Sequence, residues 1–580
     1  ITRPLYDEAL ASAFAEAAPG HPLRLTAGRL QSGTHPESAR VSGGITTLTA
    51  RALGLGGPRY AIDAACATSL YAIHLAAMHI ASGEADAMLV VAANGFDTLF
   101  ANFGFAATQA LPDGTSNRPF DADSDGVAPA DGAMALVLRR PDSHRSTVYG
   151  TLRGMGLSSD GRGQTLTAPN PKGQKLACDR AYEQTGISPD TIAYVECHAT
   201  GTKLGDRVEL ETVARVFGDN QPVGSVKSNV GHLLTAAGIA GLVKTLLAMR
   251  HGVIPATVGI EKPLSRDIAG TPDIITQATP WPAGHKRAAI NAFGFGGVNA
   301  HLIVDGPGQA APETAPSRRR GDAALLTGLG AAIGDCPDLN AVARALAAGQ
   351  PRLRPLPEGR HAGMPFPAPQ GAYLDRVAID ALKLRVPPND ISRMYPQQLL
   401  MLSVGDAALR DAGVAPGSRT AVIIASAMDH SGHRLMARWE SSWRLEDSLD
   451  AAGFELSDEE RRNLTQAVRE SLHNPVDAVV MLSYVGSLLA SRIAATWDFS
   501  GPALMLTGDE TGALRALELG QRLLAEGEAD AVLVGAIDLA GAIENLMVRQ
   551  ACGADISAPV GEGACALVLE PADAVRAQGR

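Results

Sequence analysis

The chain carries one stretch twice. From Gly57 it reads GPRYAIDAACATSLYAIHLAAMHIASGEADAMLV, and from Gly501 it reads GPALMLTGDETGALRALELGQRLLAEGEADAVLV. Gly57 aligns with Gly501, Leu70 with Leu514 and Gly83 with Gly527, always 444 positions apart. A second match, DGAMALVL from Asp131 and EGACALVL from Glu562, is offset by 431, so the second copy is 13 residues shorter in between. Each copy runs from an apolar stretch through a turn into a helix-like segment and then a second apolar stretch. A register shared over such a length implies one folded unit built twice. Short apolar runs alternating with helical segments predict an α/β fold.

The copies are incomplete in opposite ways. Copy 1 has little sequence before its matching segment and much after it, and copy 2 has the reverse. The chain therefore reads as a window cut from something longer, holding the later part of one domain and the earlier part of a similar one. Between them GPGQAAPETAPSRRRGD, Gly306–Asp322, is rich in Pro, Ala and Arg and has no apolar periodicity, as a linker does. The expected organisation is a first domain over residues 1–305, a linker over 306–322 and a second domain over 323–580. Copy 2 opens with AALLTGLGAAIG, a predicted strand and glycine turn, and its charged patch Leu445–Arg469 predicts an exposed helical excursion.

Composition excludes several classes. The chain has 580 residues, 46% of them hydrophobic and 19% charged, as in globular domains with substantial cores. A net charge of −11 argues against nucleic acid as a partner. No apolar run reaches the roughly 18 residues of a membrane span. No secretory pattern opens the chain, which begins at Ile1 rather than Met. The six cysteines form no C-x-x-C pair and are too sparse for a disulfide scaffold, so a reduced, cytoplasmic setting is expected.

Within the repeat, Tyr60–Gly83 reads as strand, sharp turn and buried helix, with Cys66 in the helix's first turn. Unpaired N–H groups and the positive end of the helix dipole favour a thiolate there. Asp86–Asn94 then reads as a buried strand completing a βαβ unit. The competing reading of Cys66 alone is a small, inert core residue.

Three further stretches of copy 1 place polar residues at strand ends. These are TIAYVECHATGTKLGDRVEL from Thr191, VGSVKSNVGHLLTAAGIAGLVKTLLAMRHG from Val223, and AAINAFGFGGVNAHLIV from Ala288. Strand ends are where open α/β sheets put chemistry. Singly, each has an ordinary reading: His198 or His232 as a satisfied core histidine, Lys227 as a surface charge, Asp206 and Glu209 as a solvated helix face, FGFGG as a tight turn. A papain-like protease does not fit, because its cysteine lies in a different context.

Together and in this order, A-C-A-T-S-L at Cys66, C-H-A-T-G-T at His198, K-S-N-V-G-H from Lys227 to His232 and F-G-F-G-G-V-N from Phe293 resemble the β-ketoacyl synthases of the thiolase superfamily. The resemblance implies a layered αβαβα fold, with two copies packed as a pseudo-dimer. It implies Cys66 as the nucleophile that carries the acyl chain. His198 and His232 would assist decarboxylation of a malonyl thioester and stabilise the enolate. Lys227 would order that pair with Glu209 as its acidic partner, while Asp206 in the same loop is structural. Thr200 and Thr202 would bond a phosphopantetheine arm. Phe295 would gate the site, its N–H joining that of Cys66 in an oxyanion hole. No metal or resident cofactor is implied; acyl carrier protein supplies the phosphopantetheine arm. A degradative thiolase needs a second cysteine late in the domain, and copy 1 has none after Cys197. One departure stands out: Ala130-Asp131-Gly132 replaces the family's Gly-Glu-Gly, which copy 2 keeps as Gly561-Glu562-Gly563.

In copy 2 the position of Cys66 is Glu510. Copy 2 therefore resembles a chain-length factor, the silent partner that shapes a ketosynthase's acyl cavity; decarboxylation by Glu510 and a merely decayed half are the alternatives. A ketosynthase fused to such a factor is similar to the corresponding subunit of bacterial polyunsaturated fatty acid synthases, as are LSSDGRGQ at Leu157–Gln164 and the APNPKGQ that follows. Related polyketide and glycolipid synthases are close competitors, and a non-catalytic scaffold that docks carriers is the rival from another class. The implied partners are acyl carrier domains and other synthase subunits or domains.

Overall fold

Residues Val298–Asp305 are buried at every position, the pattern of a strand covered on both faces. The computed structural model describes residues 42–95, 98–114, 117–140, 147–264, 271–284, 286–308, 323–349, 351–357, 360, 367–426, 432–472, 475–508, 511–551 and 555–579. Most of the expected linker, residues 309–322, and Glu510 lie outside the described residues.

Two large sheets organise the chain. The six-stranded sheet belongs to copy 1 and runs Thr151–Ser159, Val298–Asp305, Arg287–Gly294, Tyr194–Glu196, Pro222–Gly224, Asp273–Ile274. The seven-stranded sheet runs Ala61–Asp63, Ala503–Thr507, Thr420–Ser426, Ala531–Leu539, Val560–Pro571, Ala324–Ile333, with Gly371–Ala372 added beside Val560–Pro571. All of its strands except Ala61–Asp63 come from copy 2. The strands Ala87–Asn94 and Gly132–Arg139 pair antiparallel, as do their copy 2 counterparts Ala531–Leu539 and Val560–Pro571.

Helices fill the space between the layers. Thr68–Ala81 and Ala237–His251 pack on each other between Ala87–Asn94 and Arg287–Gly294. Pro171–Thr185 and Lys203–Phe217 also pack together, and the first lies on Thr151–Ser159 and Val298–Asp305. In copy 2, Gly520 of helix Gly512–Ala525 meets Val532 and Val534, and Met401 of helix Pro396–Ala412 meets Gly535, so the two helices cover opposite faces of one sheet. The expected strand and glycine turn at the start of copy 2 form as Ala324–Ile333 followed by Gly334 at φ +56°. The charged patch forms the helices Gly432–Ala452 and Asp458–Leu472. Among the described residues no helix is long and apolar enough to cross a membrane.

The crossover of the repeat skips one strand: in copy 2 the strand Thr420–Ser426 lies between Ala503–Thr507 and Ala531–Leu539, parallel to both. A helical crossover is long enough to skip one strand, and an earlier segment fills the gap. At the position of Asp131, copy 2 buries Glu562, whose carboxylate accepts from the Arg360 guanidinium and from the Leu374 N–H at 2.9 Å, both in a part of copy 2 that precedes the shared segment.

The copies meet through their equivalent strands. Ala61 pairs with Thr507, Ile62 with Leu506 and Asp63 with Met505. Met505, Leu506 and Thr507 are the repeat equivalents of Ala61, Ile62 and Asp63, so the pairing is unchanged when the copies are exchanged. This is the isologous contact of a two-fold dimer, made within one chain. One apolar cluster continues across it, joining Leu70, Tyr71 and Ile73 to Leu504, Leu506, Leu519 and Val532. Because the copies share this core, Leu506→Ala should cost about 2–5 kcal/mol, and calorimetry should show one cooperative transition moved to lower temperature. Two separated transitions, with only one displaced, would show that the copies fold as independent units.

Candidate active site

Strand Ala61–Asp63 ends in a turn that most residues avoid. Ala65 has φ +49°, a conformation with a steric cost for any side chain. Three hydrogen bonds hold it: Ala65 N–H donates to Asp63 Oδ1 at 2.8 Å, Ala64 N–H donates to Thr68 Oγ1 at 2.9 Å, and the Thr68 hydroxyl donates to Ala65 O at 2.6 Å. Cys66 follows, then Ala67 as the N-cap of the buried helix Thr68–Ala81. Cys66 thus stands just before the cap rather than in the first turn, and the elbow itself aims the sulfur.

The other motifs converge on that sulfur. His232 Nε2 lies 3.3 Å from Cys66 Sγ. The His198 ring lies 5.5 Å from the His232 ring and 6.0 Å from the Phe293 ring. The N–H groups of Phe295 and of Cys66 itself both face the sulfur. Phe295 sits in the tight turn between strands Arg287–Gly294 and Val298–Asp305, its ring 5.9 Å from that of Phe105. A Cβ on Gly294 would stand 2.9 Å from Ala64 O and 3.1 Å from Cys66 N, so only glycine lets this turn close on the elbow.

The ligand atoms of Cys66, His198 and His232 all lie within 4.8 Å of one another, close enough to suggest a metal triad. The tautomer of His232 argues otherwise. Its Nδ1 accepts from Leu234 N–H at 3.2 Å, so the neutral ring carries its proton on Nε2. That nitrogen presents a hydrogen to the sulfur, not a lone pair to a cation. His198 and His232 are both held well below the ordinary histidine range, chiefly by burial and then by the Lys227 ammonium, so both are neutral near pH 7.

Lys227 begins the short helix Lys227–Val230, and its buried ammonium donates to the His198 carbonyl oxygen. Glu209 does not pair with it directly. Its carboxylate accepts from the N–H groups of His198 and Ala199, both at 2.7 Å, and from Asn291 Nδ2 at 2.9 Å. Asp206 accepts from Phe120 N–H at 2.8 Å, Thr200 N–H at 3.0 Å and Gly201 N–H at 3.2 Å. The two acids thus shape the loop after Glu196, and the charges of Glu209 and Lys227 also act on each other. The hydroxyls of Thr200 and Thr202, both half-buried, lie 3.2 Å apart on that loop.

Sequence reasoning missed the groups behind these residues. Glu196 is buried and accepts from Val226 N–H at 2.5 Å, Tyr194 OH at 2.8 Å and Lys244 Nζ at 2.7 Å, fixing the residue before Lys227. Asn291 also accepts from His301 Nδ1 at 2.7 Å, and Tyr182 OH lies 3.1 Å from His301 Nε2. The available signal was a polar residue inside an apolar strand, as in YVE and AINAF, because such a group requires buried partners.

Burial pushes the Cys66 thiol up to about 11, against the downward pull of Lys227 and the two backbone N–H groups. The resting group is therefore a thiol, not the thiolate that the helix dipole alone predicted. Its alkylation by iodoacetamide should rise about tenfold per pH unit from neutrality toward that value. Lys227→Met should slow the labelling at every lower pH. A rate that levels off near neutral pH would overturn the direction of the shift.

The model of the β-ketoacyl synthase N-terminal domain matches residues 23–144 and 324–574, and that of the C-terminal domain matches residues 149–261. The chain is 36% identical over 574 residues to a polyunsaturated fatty acid synthase subunit of Thraustochytrium sp., covering 90% of this chain and 27% of that protein. It is 38% identical over 286 residues to polyketide synthase GfsB of Streptomyces halstedii, covering 47% of this chain and 5% of that protein. The solved structure of the PfaC keto synthase–chain length factor superposes with a TM-score of 0.86 at 35% identity, covering 98% of this chain and 64% of that one. The chain thus spans about a quarter of the length of the first relative and under two thirds of the solved one. With its layered sheets, its internal two-fold and both domain models matched, the chain belongs to the β-ketoacyl synthase family, in the thiolase-like fold.

Proposed function

We propose that residues 1–305 are a ketosynthase domain and residues 323–580 a chain-length-factor-like domain, joined by the linker 306–322. The reaction is decarboxylative Claisen condensation: a carrier-bound acyl chain is extended by two carbons from malonyl-acyl carrier protein. The observation that carries this reading is the meeting of the Cys66 sulfur with the Nε2–H of His232 and the N–H groups of Cys66 and Phe295.

In the first half-reaction the sulfur attacks the acyl thioester, the carrier thiol departs, and the thiol proton of Cys66 ends on it. Negative charge on the carbonyl oxygen falls between the two backbone N–H groups. In the second half-reaction a malonyl thioester binds, its arm held by Thr200 and Thr202. Loss of CO₂ leaves an enolate whose oxygen accepts from the imidazole N–H groups of His198 and His232. The enolate carbon attacks the acyl group on Cys66, and the sulfur leaves and regains a proton. Lys227 and Glu209 hold the His198 segment in place, and Phe295 gates entry.

The second domain shapes the space available to the acyl chain, as the name of the solved relative suggests. Its Glu510 stands at the nucleophile's position and cannot form a thioester of the kind a thiol forms. The match to the polyunsaturated fatty acid synthase runs through both copies, whereas the polyketide match covers about one. This favours polyunsaturated fatty acid synthesis as the setting, with acyl carrier domains and other synthase subunits as partners. The phosphopantetheine arm arrives with the carrier.

Incubation with a labelled acyl-carrier should place the label on Cys66, and Cys66→Ala should abolish it and lower condensation to below about a thousandth of the unmutated rate. Glu510→Ala should leave acylation intact. An unmutated chain that binds carriers but acquires no acyl group would be a scaffold instead.

A further inference from the structure

Asp63 has two carboxylate oxygens and divides them between the copies. Oδ1 accepts from Ala65 N–H at 2.8 Å, within the strained elbow that aims Cys66. Oδ2 accepts from Ser487 N–H at 3.0 Å, at the start of the copy 2 helix Leu488–Trp497. The contact is tight: a Cβ on Gly486 would lie 3.0 Å from Asp63 Oδ2 and 2.8 Å from Met505 Cε. A few residues on, the same copy 2 segment abuts the turn that carries Phe295. A Cβ on Gly296, at φ +87°, would lie 2.2 Å from Ser491 Oγ and 2.7 Å from Leu488 Cδ2.

One stretch of copy 2, Gly486–Ser491, therefore presses on both donors that face the sulfur. It reaches the Cys66 N–H through Asp63 and the elbow, and the Phe295 N–H through Gly296. We propose that this stretch is a positioning element for copy 1's oxyanion site and that Asp63 is the residue through which it acts, a role beyond shaping the acyl cavity. The proposal rests on the ketosynthase reading above. Asp63 touches no reacting atom. It fixes where the Cys66 N–H points, and that direction matters only when an oxyanion forms. In copy 2 the equivalent of Asp63 is Thr507, which has no carboxylate to divide.

Asp63→Asn keeps the size and removes one acceptor, because the amide NH₂ must face either Ala65 N–H or Ser487 N–H. Two reactions of Cys66 then part company. Acyl transfer passes through an oxyanion and should fall about tenfold or more, given that losing a whole oxyanion donor costs about 10²–10³. Alkylation by iodoacetamide forms no oxyanion. It should hold its rate or rise, because the Asp63 charge is one of the influences that hold the thiol up. KM for the acyl-carrier should stay within about twofold, so the loss appears in kcat. Gly486→Ala, in the other copy, should give a smaller change with the same signature. If both reactions fall together, Asp63 is merely structural and the proposal fails. It also fails if neither changes while the unmutated chain acylates normally. If the unmutated chain takes up no acyl group at all, the ketosynthase reading fails first and takes this inference with it.

Discussion

The site depends on three residues of strand. Ala61–Asp63 leads directly into the elbow at Ala65, and among the described residues its strand partner is Ala503–Thr507 of copy 2. A two-stranded ribbon so short has little stability of its own. Here it is the edge of a seven-stranded sheet whose other strands belong to the other copy, so the nucleophile of copy 1 is mounted on the framework of copy 2. The two-fold register fixes this mounting: a one-residue slip would move Ile62 off Leu506 and take Asp63 away from Ser487 N–H.

Around the sulfur the protein favours dipoles over charge. Glu209 and Asp206 accept from main-chain N–H groups, as Asp63 beside the elbow does. The imidazoles are neutral, and Lys227 donates to a carbonyl rather than to a carboxylate. This arrangement suits chemistry in which negative charge appears on an oxygen and then moves. Fixed N–H donors stabilise it in a water-poor site without reorganising, whereas a strong ion pair would already have its charge satisfied. Burial raises the thiol for the same reason that it keeps the imidazoles neutral.

The motifs around Cys66, His198, Lys227 and Phe295 were legible because each is a continuous run in which a strand ends and a polar turn begins. The duplication was legible because its register never slips between Gly57 and Asp86. What was hidden is tertiary. Asp63 looks like the last residue of an apolar strand until Ser487, 424 positions away, donates to it. Glu196 and Lys244 fall in separate elements and become an ion pair only when the helix Ala237–His251 packs against the sheet. The partners of Glu209 were hidden too, because spacing along a chain does not say which face of a loop a carboxylate meets. The state of Cys66 followed the same rule: a helix dipole is local and readable, but the burial that outweighs it is a property of the whole fold.

The two copies have diverged most tellingly where the two-fold makes them meet. Glu84 and Glu528 are the same position of the repeat, and His74 corresponds to Glu518. On one side of the two-fold, His74 Nε2 meets Glu528 at 2.8 Å. The equivalent contact on the other side would set Glu84 against Glu518, two like charges. Arginines resolve it: Arg522 donates to Glu84 and, at 3.0 Å, to Glu518, while Arg515 donates to Glu518 at 2.7 Å. One acid in one structural position thus meets a histidine across the two-fold in one copy, and in the other meets arginines across it and His79 of its own copy at 2.5 Å. The backbone keeps its symmetry and the side chains do not. Such an interface can mount a catalytic elbow on one side and leave the other without a nucleophile, because the sheet that joins them depends on register and not on which residue follows it.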